Sequence, residues 1–194
     1  MNILITGDFF VSDAFVHNIS LSDDLQKLFE TSDLNILNLE GPAAEKNLQF
    51  RIQKSGPHII NDPGVFAVLN KMNIHLVTLA NNHILDYGPQ GLSDTLDNCR
   101  RNLINTVGAG MSLEEAQTPF ILEDGPVKLA VINFTENEWA TASVRHAGAN
   151  PMNIIENVRQ IKRAKEICDL VLVVVHGGHE FYPLPNPKMV SIGR

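Results

Sequence analysis

Four short apolar runs in this sequence each finish on a side chain able to ligate a hard or borderline metal ion. Asp8 follows the run 3–6, Glu40 follows 36–39, Asn81-Asn82-His83 follow 76–80, and His176 follows 170–175. Runs of this length, bounded by polar and turn residues, read as buried strands, and helix-patterned segments lie between them. That alternation is the signature of an α/β domain with a largely parallel sheet. In open α/β sheets ligands bind outside the carboxyl ends of the strands, so residues far apart in sequence can converge there. Two carboxylates, an amide and imidazoles make a mixed oxygen and nitrogen set, which suits Mn, Fe, Zn or Mg better than a soft metal.

Each residue also has a plain structural reading. Asp8 after Gly7 is ordinary turn chemistry, and Glu40 before Gly41-Pro42 a solvated strand end. Asn81-Asn82 suits a turn, and His176 beside Gly177-Gly178 a satisfied core histidine. Recurrence at four strand ends is what favours a shared site. His17, His58, His75 and His146 lack that placement and read as surface or packing residues. The run His176-Gly177-Gly178-His179-Glu180 is not H-E-x-x-H, and paired glycines spoil the helix such a zinc motif needs. Gly108-Ala109-Gly110 does not complete a dinucleotide-binding pattern and reads as a turn.

Predicted strands cover residues 2–6, 34–39, 74–79, 105–107 and 170–175. Predicted helices run from the Ser22 cap to 30, from Asp62-Pro63 to 72, from Pro89 to 101, and from Asn150-Pro151 to 168. A short one carries the capping box Ser112 with Glu115. Residues 120–122 and 127–134 flank Glu123-Asp124-Gly125-Pro126, which predicts an antiparallel hairpin. Residues 135–150, with Trp139, Arg145 and His146, show no period and read as a long loop, plain surface being preferred over a lid.

No linker, repeat or low-complexity tract divides the 194 residues, so one domain over 1–194 is expected. With 44% hydrophobic and 19% charged residues the chain has a core to bury. A net charge of -7 excludes a global basic field for nucleic acid or an anionic membrane surface. Cys99 and Cys168, each in a helix-like stretch and outside any C-x-x-C spacing, read as buried thiols. No run approaches the ~20 apolar residues of a membrane span and no signal peptide is visible, so direct membrane insertion is not expected and the chain as written reads as cytoplasmic.

The block Ala80-Asn81-Asn82-His83-Ile84-Leu85-Asp86-Tyr87-Gly88 resembles the bacterial capsule-synthesis CapA family, also described as poly-gamma-glutamate synthesis proteins, within the calcineurin-like metallophosphoesterase superfamily. Gly7-Asp8, Asn38-Leu39-Glu40-Gly41, Gly91 with Asp94-Thr95-Leu96, Gly108-Ala109-Gly110 before Glu115-Ala116, and His176-Gly177-Gly178-His179-Glu180 extend the match in family order. The resemblance implies an α/β metallophosphatase-like sandwich of mixed sheets flanked by helices, with one or two divalent ions at the strand ends. It makes Asp8 a metal ligand, puts Glu40 in place of the bridging carboxylate, Asn82 as the amide ligand, and His176 as a further imidazole ligand. His83 becomes the catalytic histidine, which Asp86 would orient; His179 is the first candidate to complete the shell, and Glu180 has no assigned role.

Three departures qualify the pattern. Phe10 stands where the superfamily usually has a second ligand histidine, and no Gly-His-x-His follows another strand before Arg194. The chain thus reads as an N-terminal portion with an incomplete centre. Family members are often associated with the cell surface, whereas no anchor is visible here. The implied function is a metal-dependent phosphoesterase-type hydrolase acting on a phosphorylated or anionic polymer substrate in capsule or cell-envelope polymer biosynthesis. The alternatives are a non-hydrolytic assembly or binding protein for capsular polysaccharide or poly-gamma-glutamate, and a degenerate piece with a structural role alone.

Overall fold

A computed structural model of the chain describes residues 1–178 and 182–193. Strands β1 (Ile3–Phe9), β2 (Leu34–Leu39), β3 (Leu76–Thr78) and β4 (Asn105–Val107) pair side by side in a parallel sheet. Parallel neighbours need crossovers, and helices α1 (Asp13–Val16), α2 (Asp23–Glu30), α3 (Val65–Lys71) and α4 (Gly88–Arg101) supply them. A short strand β5 (Ala109–Gly110) and helix α5 (Leu113–Gln117) lead to the hairpin β6 (Phe120–Asp124) and β7 (Val127–Thr135). After β8 (Gly148–Ala149), which pairs antiparallel with β5, helix α6 (Ile154–Ile167) returns the chain to β9 (Leu170–His176), parallel to β7. Helix α7 (Pro187–Ile192) follows.

The two larger sheets stack because their strands alternate two apolar faces. Leu34, Ile36, Leu76 and Val107 of the first sheet meet Leu129 and Val131 of the second, with Ile3, Leu172 and Val174 packed against them. The opposite faces bury under helices: Leu37, Leu39, Val77 and Leu79 pack with Val65, Leu69, Leu92 and Cys99, while Ala130, Ile132 and Phe134 pack with Ala164 and Cys168. This is the expected α/β metallophosphatase-like sandwich.

Toward the carboxyl ends of the strands the face between the sheets turns polar, with Asn38, Thr78 and Asn133 in the rows begun by Ile36, Leu76 and Val131. Asn133 ties the sheets together: its Oδ1 accepts from the Ala80 N–H at 2.7 Å and its Nδ2 donates to the Val174 carbonyl at 3.1 Å. Buried amides must find partners, and these links fix how the end of β3 sits against the end of β9. Gly108, at φ +94°, leaves room for them, since a Cβ there would lie 2.1 Å from Asn133 Oδ1.

On β1 the register with β2 shifts between Ile5, opposite Ile36, and Asp8, opposite Asn38. One extra residue on β1 is a bulge, and it reverses which face the following side chains take. Leu4 packs with the helix-side core, whereas Asp8 contacts Asn38 on the other face.

Several expectations need correction. Helix α3 begins at Val65 rather than at Pro63, the Asp62 carbonyl taking the Val65 N–H. Helix α6 begins at Ile154 with Asn153 as its cap; Asn150 is instead a buried crosslink to the Asn133 carbonyl and Gln160 Oε1. Ala109-Gly110 is a strand and not a turn, and Cys168 caps α6 rather than lying inside it. Both cysteines are buried thiols. Among the described residues no helix is long and apolar enough to cross a membrane.

Candidate metal centre

A cleft of about 790 Å³ opens at the carboxyl ends of β1, β2, β3 and β9. Asp8, Glu40, Asn82, His83 and His176 all line it, so the structure brings these five together; His179 and Glu180 lie outside the described residues. Lys54, Glu136, Glu138 and Trp139 complete much of the wall. A groove of about 780 Å³ on the far side of β4 holds no comparable set of converging ligands among the described residues.

Asp8, Glu40 and His176 each present a ligand atom, and these atoms all lie within 4.8 Å of one another. His176 Nδ1 is 3.3 Å from Asp8 Oδ1, and its Nε2 is 3.2 Å from Asn82 Oδ1. Asn38 Nδ2 donates to Asp8 Oδ1 at 2.6 Å, and Asn82 Nδ2 donates to Glu138 Oε2 at 3.1 Å, which turns the Asn82 oxygen toward His176. The hydrogen bond from His176 holds Asp8 below the usual carboxylate range, against the upward push of its own burial. Burial opposes the charged form of His176, but the bond to Asp8 and the nearby charges of Asp8, Glu40 and Glu136 outweigh it and raise its pKa.

The donor set fits a divalent ion. Two carboxylates and an imidazole, with an amide oxygen beside them, are first-row metal chemistry, and the carboxylates that raise the His176 pKa would equally favour a cation among them. Residues Asp8, Glu40, Asn82 and His176 would hold the ion. Asn38 supports them much as buried partners orient ligands in metal sites generally.

His83 sits beside this set on the turn that joins β3 to α4. Asn81, fully buried, builds the turn: its Oδ1 accepts from the N–H groups of Gly41 and His83, and its Nδ2 donates to the Leu39 carbonyl. One amide therefore ties the Glu40 end of β2 to the His83 end of β3. His83 Nδ1 lies 2.7 Å from Asp86 Oδ2 and Nε2 lies 4.0 Å from Glu40 Oε1, so the ring shows Nε2 to the cleft. Asp86 is fully buried. Burial alone would raise its carboxyl, but hydrogen bonds from His83, Lys54 and the Ile59 N–H hold it below its ordinary value.

Sequence reasoning missed Asn38, Lys54, Glu136 and Glu138. Asn38 carried a signal, since it shares the strand face of Ile36 and precedes Glu40 by two. Lys54 carried none, lying in a stretch without regular structure. The loop 135–150, expected to be plain surface, contributes Glu136, Glu138 and the half-exposed Trp139 to the cleft wall. Among the other histidines, His75 is a packing residue whose Nδ1 accepts from the Asn35 N–H at 3.1 Å.

Known proteins resemble this chain in sequence and in fold. Residues 2–194 match the profile of the family described as bacterial capsule synthesis protein PGA_cap. The chain is 29% identical over 179 residues to the PGA biosynthesis protein CapA of Bacillus subtilis, covering 90% of this chain and 47% of that one. It is 29% identical over 157 residues to the capsule biosynthesis protein CapA of Bacillus anthracis, covering 78% and 36%. The chain thus spans about half the length, or less, of these curated relatives. Among solved structures, the Haemophilus influenzae NAD nucleotidase superposes with a TM-score of 0.52 at 16% identity, over 87% of this chain and 28% of that one. A putative 5'-nucleotidase from Staphylococcus aureus gives 0.52 at 17%, over 92% and 37%. At such identities the likeness is one of fold.

Proposed function

The chain belongs to the bacterial capsule synthesis PGA_cap family, and we propose that its cleft is a metal-dependent phosphoester-hydrolysing site serving capsule or poly-gamma-glutamate synthesis. The convergence of Asp8, Glu40 and His176 beside the cleft-facing Nε2 of His83 carries this reading. One or two divalent ions bound there would supply Lewis acidity and an activated water at neutral pH. His83 would give a proton from Nε2 to the leaving oxygen, with Asp86 orienting the ring from the other side. Asn82 and His176 would complete the ligand set with an amide oxygen and an imidazole nitrogen. The substrate is a phosphorylated or anionic polymer. Asp8, Glu40, Glu136 and Glu138 repel such a substrate unless a cation offsets them, which couples substrate entry to metal loading. On this reading residues 1–194 act as a single domain, since both sheets share one core.

The printed names of the relatives speak of biosynthesis, which favours as a second reading an assembly or binding protein for capsular polysaccharide or poly-gamma-glutamate. Turnover of a panel of phosphomonoesters and phosphodiesters with added Mn²⁺ separates the two. Hydrolysis that disappears in Asp8→Asn supports the first. Metal binding without turnover of any member supports the second.

A further inference from the structure

We propose that Lys54 is a positioning residue: through Asp86 it fixes His83 in the tautomer that carries hydrogen on Nδ1 and turns Nε2 to the cleft. Lys54 lies on a strap of irregular chain, residues 51–60, laid over the turn 83–88. Asp86 is the peg that holds the strap. Its backbone carbonyl accepts the Ile52 N–H at 3.2 Å, and its Oδ2 accepts the Ile59 N–H at 2.9 Å. Its Oδ1 forms an ion pair with the Lys54 ammonium and, among the described residues, has no hydrogen-bond partner to replace it. Both side chains are out of solvent, at 2% exposure for Lys54 and 0% for Asp86.

The tautomer follows from donor and acceptor counting. Lys54 Nζ lies 3.1 Å from His83 Nδ1, and Asp86 Oδ2 lies 2.7 Å from the same atom. An ionised carboxylate can only accept, so the closer contact demands hydrogen on Nδ1, and the ammonium, which has three N–H donors and no acceptor, pairs with Asp86 Oδ1 instead. Removing the lysine strands a buried carboxylate oxygen with no partner. Asp86 must then turn away or take up a proton, and either change ends its one-sided grip on the ring. The inference rests on reading His83 as the group that faces the substrate, but its test does not require turnover.

The test is the pair of imidazole ¹⁵N chemical shifts of His83 in the full chain at a pH where the ring is neutral. Wild type should show a protonated Nδ1 and an unprotonated Nε2. Lys54→Met, checked for folding by circular dichroism, should move both shifts toward a mixture of tautomers, and Lys54→Arg should restore the wild-type pattern. A folded Lys54→Met with the wild-type pattern overturns the proposal. Should Lys54→Met not fold, Asp86→Asn is compared with Lys54→Met/Asp86→Asn, which removes the stranded charge along with the lysine. Equal His83 shifts in these two support action through Asp86, and unequal shifts overturn it. Absence of phosphoesterase activity in the wild type would sink the functional reading and leave this measurement untouched.

Discussion

Leu4 and Asp8 belong to one strand and lie an even number of residues apart, yet they face opposite sides of the sheet. Leu4 packs against the helix-side core, and Asp8 joins Asn38 and His176 between the sheets. The one-residue bulge between Ile5 and Asp8 makes the difference. Without it, strand alternation would send the carboxylate under the helices.

That relationship gives a sharp pair of outcomes. A Cβ at Gly7 would meet no atom within 4 Å, so Gly7→Ala should change stability by no more than about 0.5 kcal/mol and leave metal binding intact. Deleting Gly7 removes the extra residue and should abolish metal binding. Calorimetric titration with Mn²⁺ on both variants checks this; retained binding in the deletion would show that Asp8 does not depend on the bulge.

Asn133 is the second structural test. Asn133→Ala leaves the buried Ala80 N–H without its acceptor and should cost about 1–3 kcal/mol in urea unfolding. Gly108→Ala should be worse than an ordinary surface change, because its Cβ would overlap Asn133 Oδ1 and the residue holds φ +94°. A neutral result for both would mean the sheets are held by the apolar layer alone.

How much of this was legible beforehand follows from what a strand pattern can carry. The runs ending at Glu40 and His176 are nearly continuous apolar stretches, so they were readable as buried strands with a ligand residue at their ends, but which face each side chain takes was not. Asp8 was expected just after a strand ending at residue 6, whereas β1 runs on through Phe9 with Asp8 inside it, and the register shift that aims it leaves no periodic trace beyond Gly7 itself. The Asn81-Asn82-His83 turn was readable as chemistry, while the use of Asn81 and Asn133 as internal crosslinks was not, since buried amides look like turn residues in sequence. Lys54 meets Asp86 from 32 positions away, a contact made by chain packing and not by spacing. Asn150 misled for the same reason: followed by proline it looks like a helix cap, and a buried partner in Gln160 overrode that preference.

Stability should fall on the acid side through His75. Burial lowers its pKa, and its neutral Nδ1 accepts the Asn35 N–H, so the native state prefers the uncharged ring. The unfolded chain takes up the proton first as pH drops through about 6.5. The contribution is therefore full above that value and is lost as pH falls through the lower folded value. His75→Gln should flatten the unfolding free energy between neutral pH and pH 5 relative to wild type. An unchanged slope would remove His75 from the account.

Asn82 and His83 are neighbours with different expected signatures. His83→Ala should lower kcat by roughly 10²- to 10⁴-fold with little change in metal affinity, and more so for phosphoesters with poor leaving groups. Asn82→Ala should weaken metal binding instead. Equal loss of metal from both variants, or equal sensitivity of activated and poor leaving groups, would take the acid role from His83.

Asp8, Glu40 and His176 are proposed to hold a divalent ion. Crystals soaked in millimolar Mn²⁺ and measured at the manganese absorption edge test it most directly. The account predicts an anomalous peak between the Asp8 and Glu40 carboxylates and the His176 ring, absent from His176→Ala. No peak in the cleft, or one that survives in that variant undiminished, would contradict it.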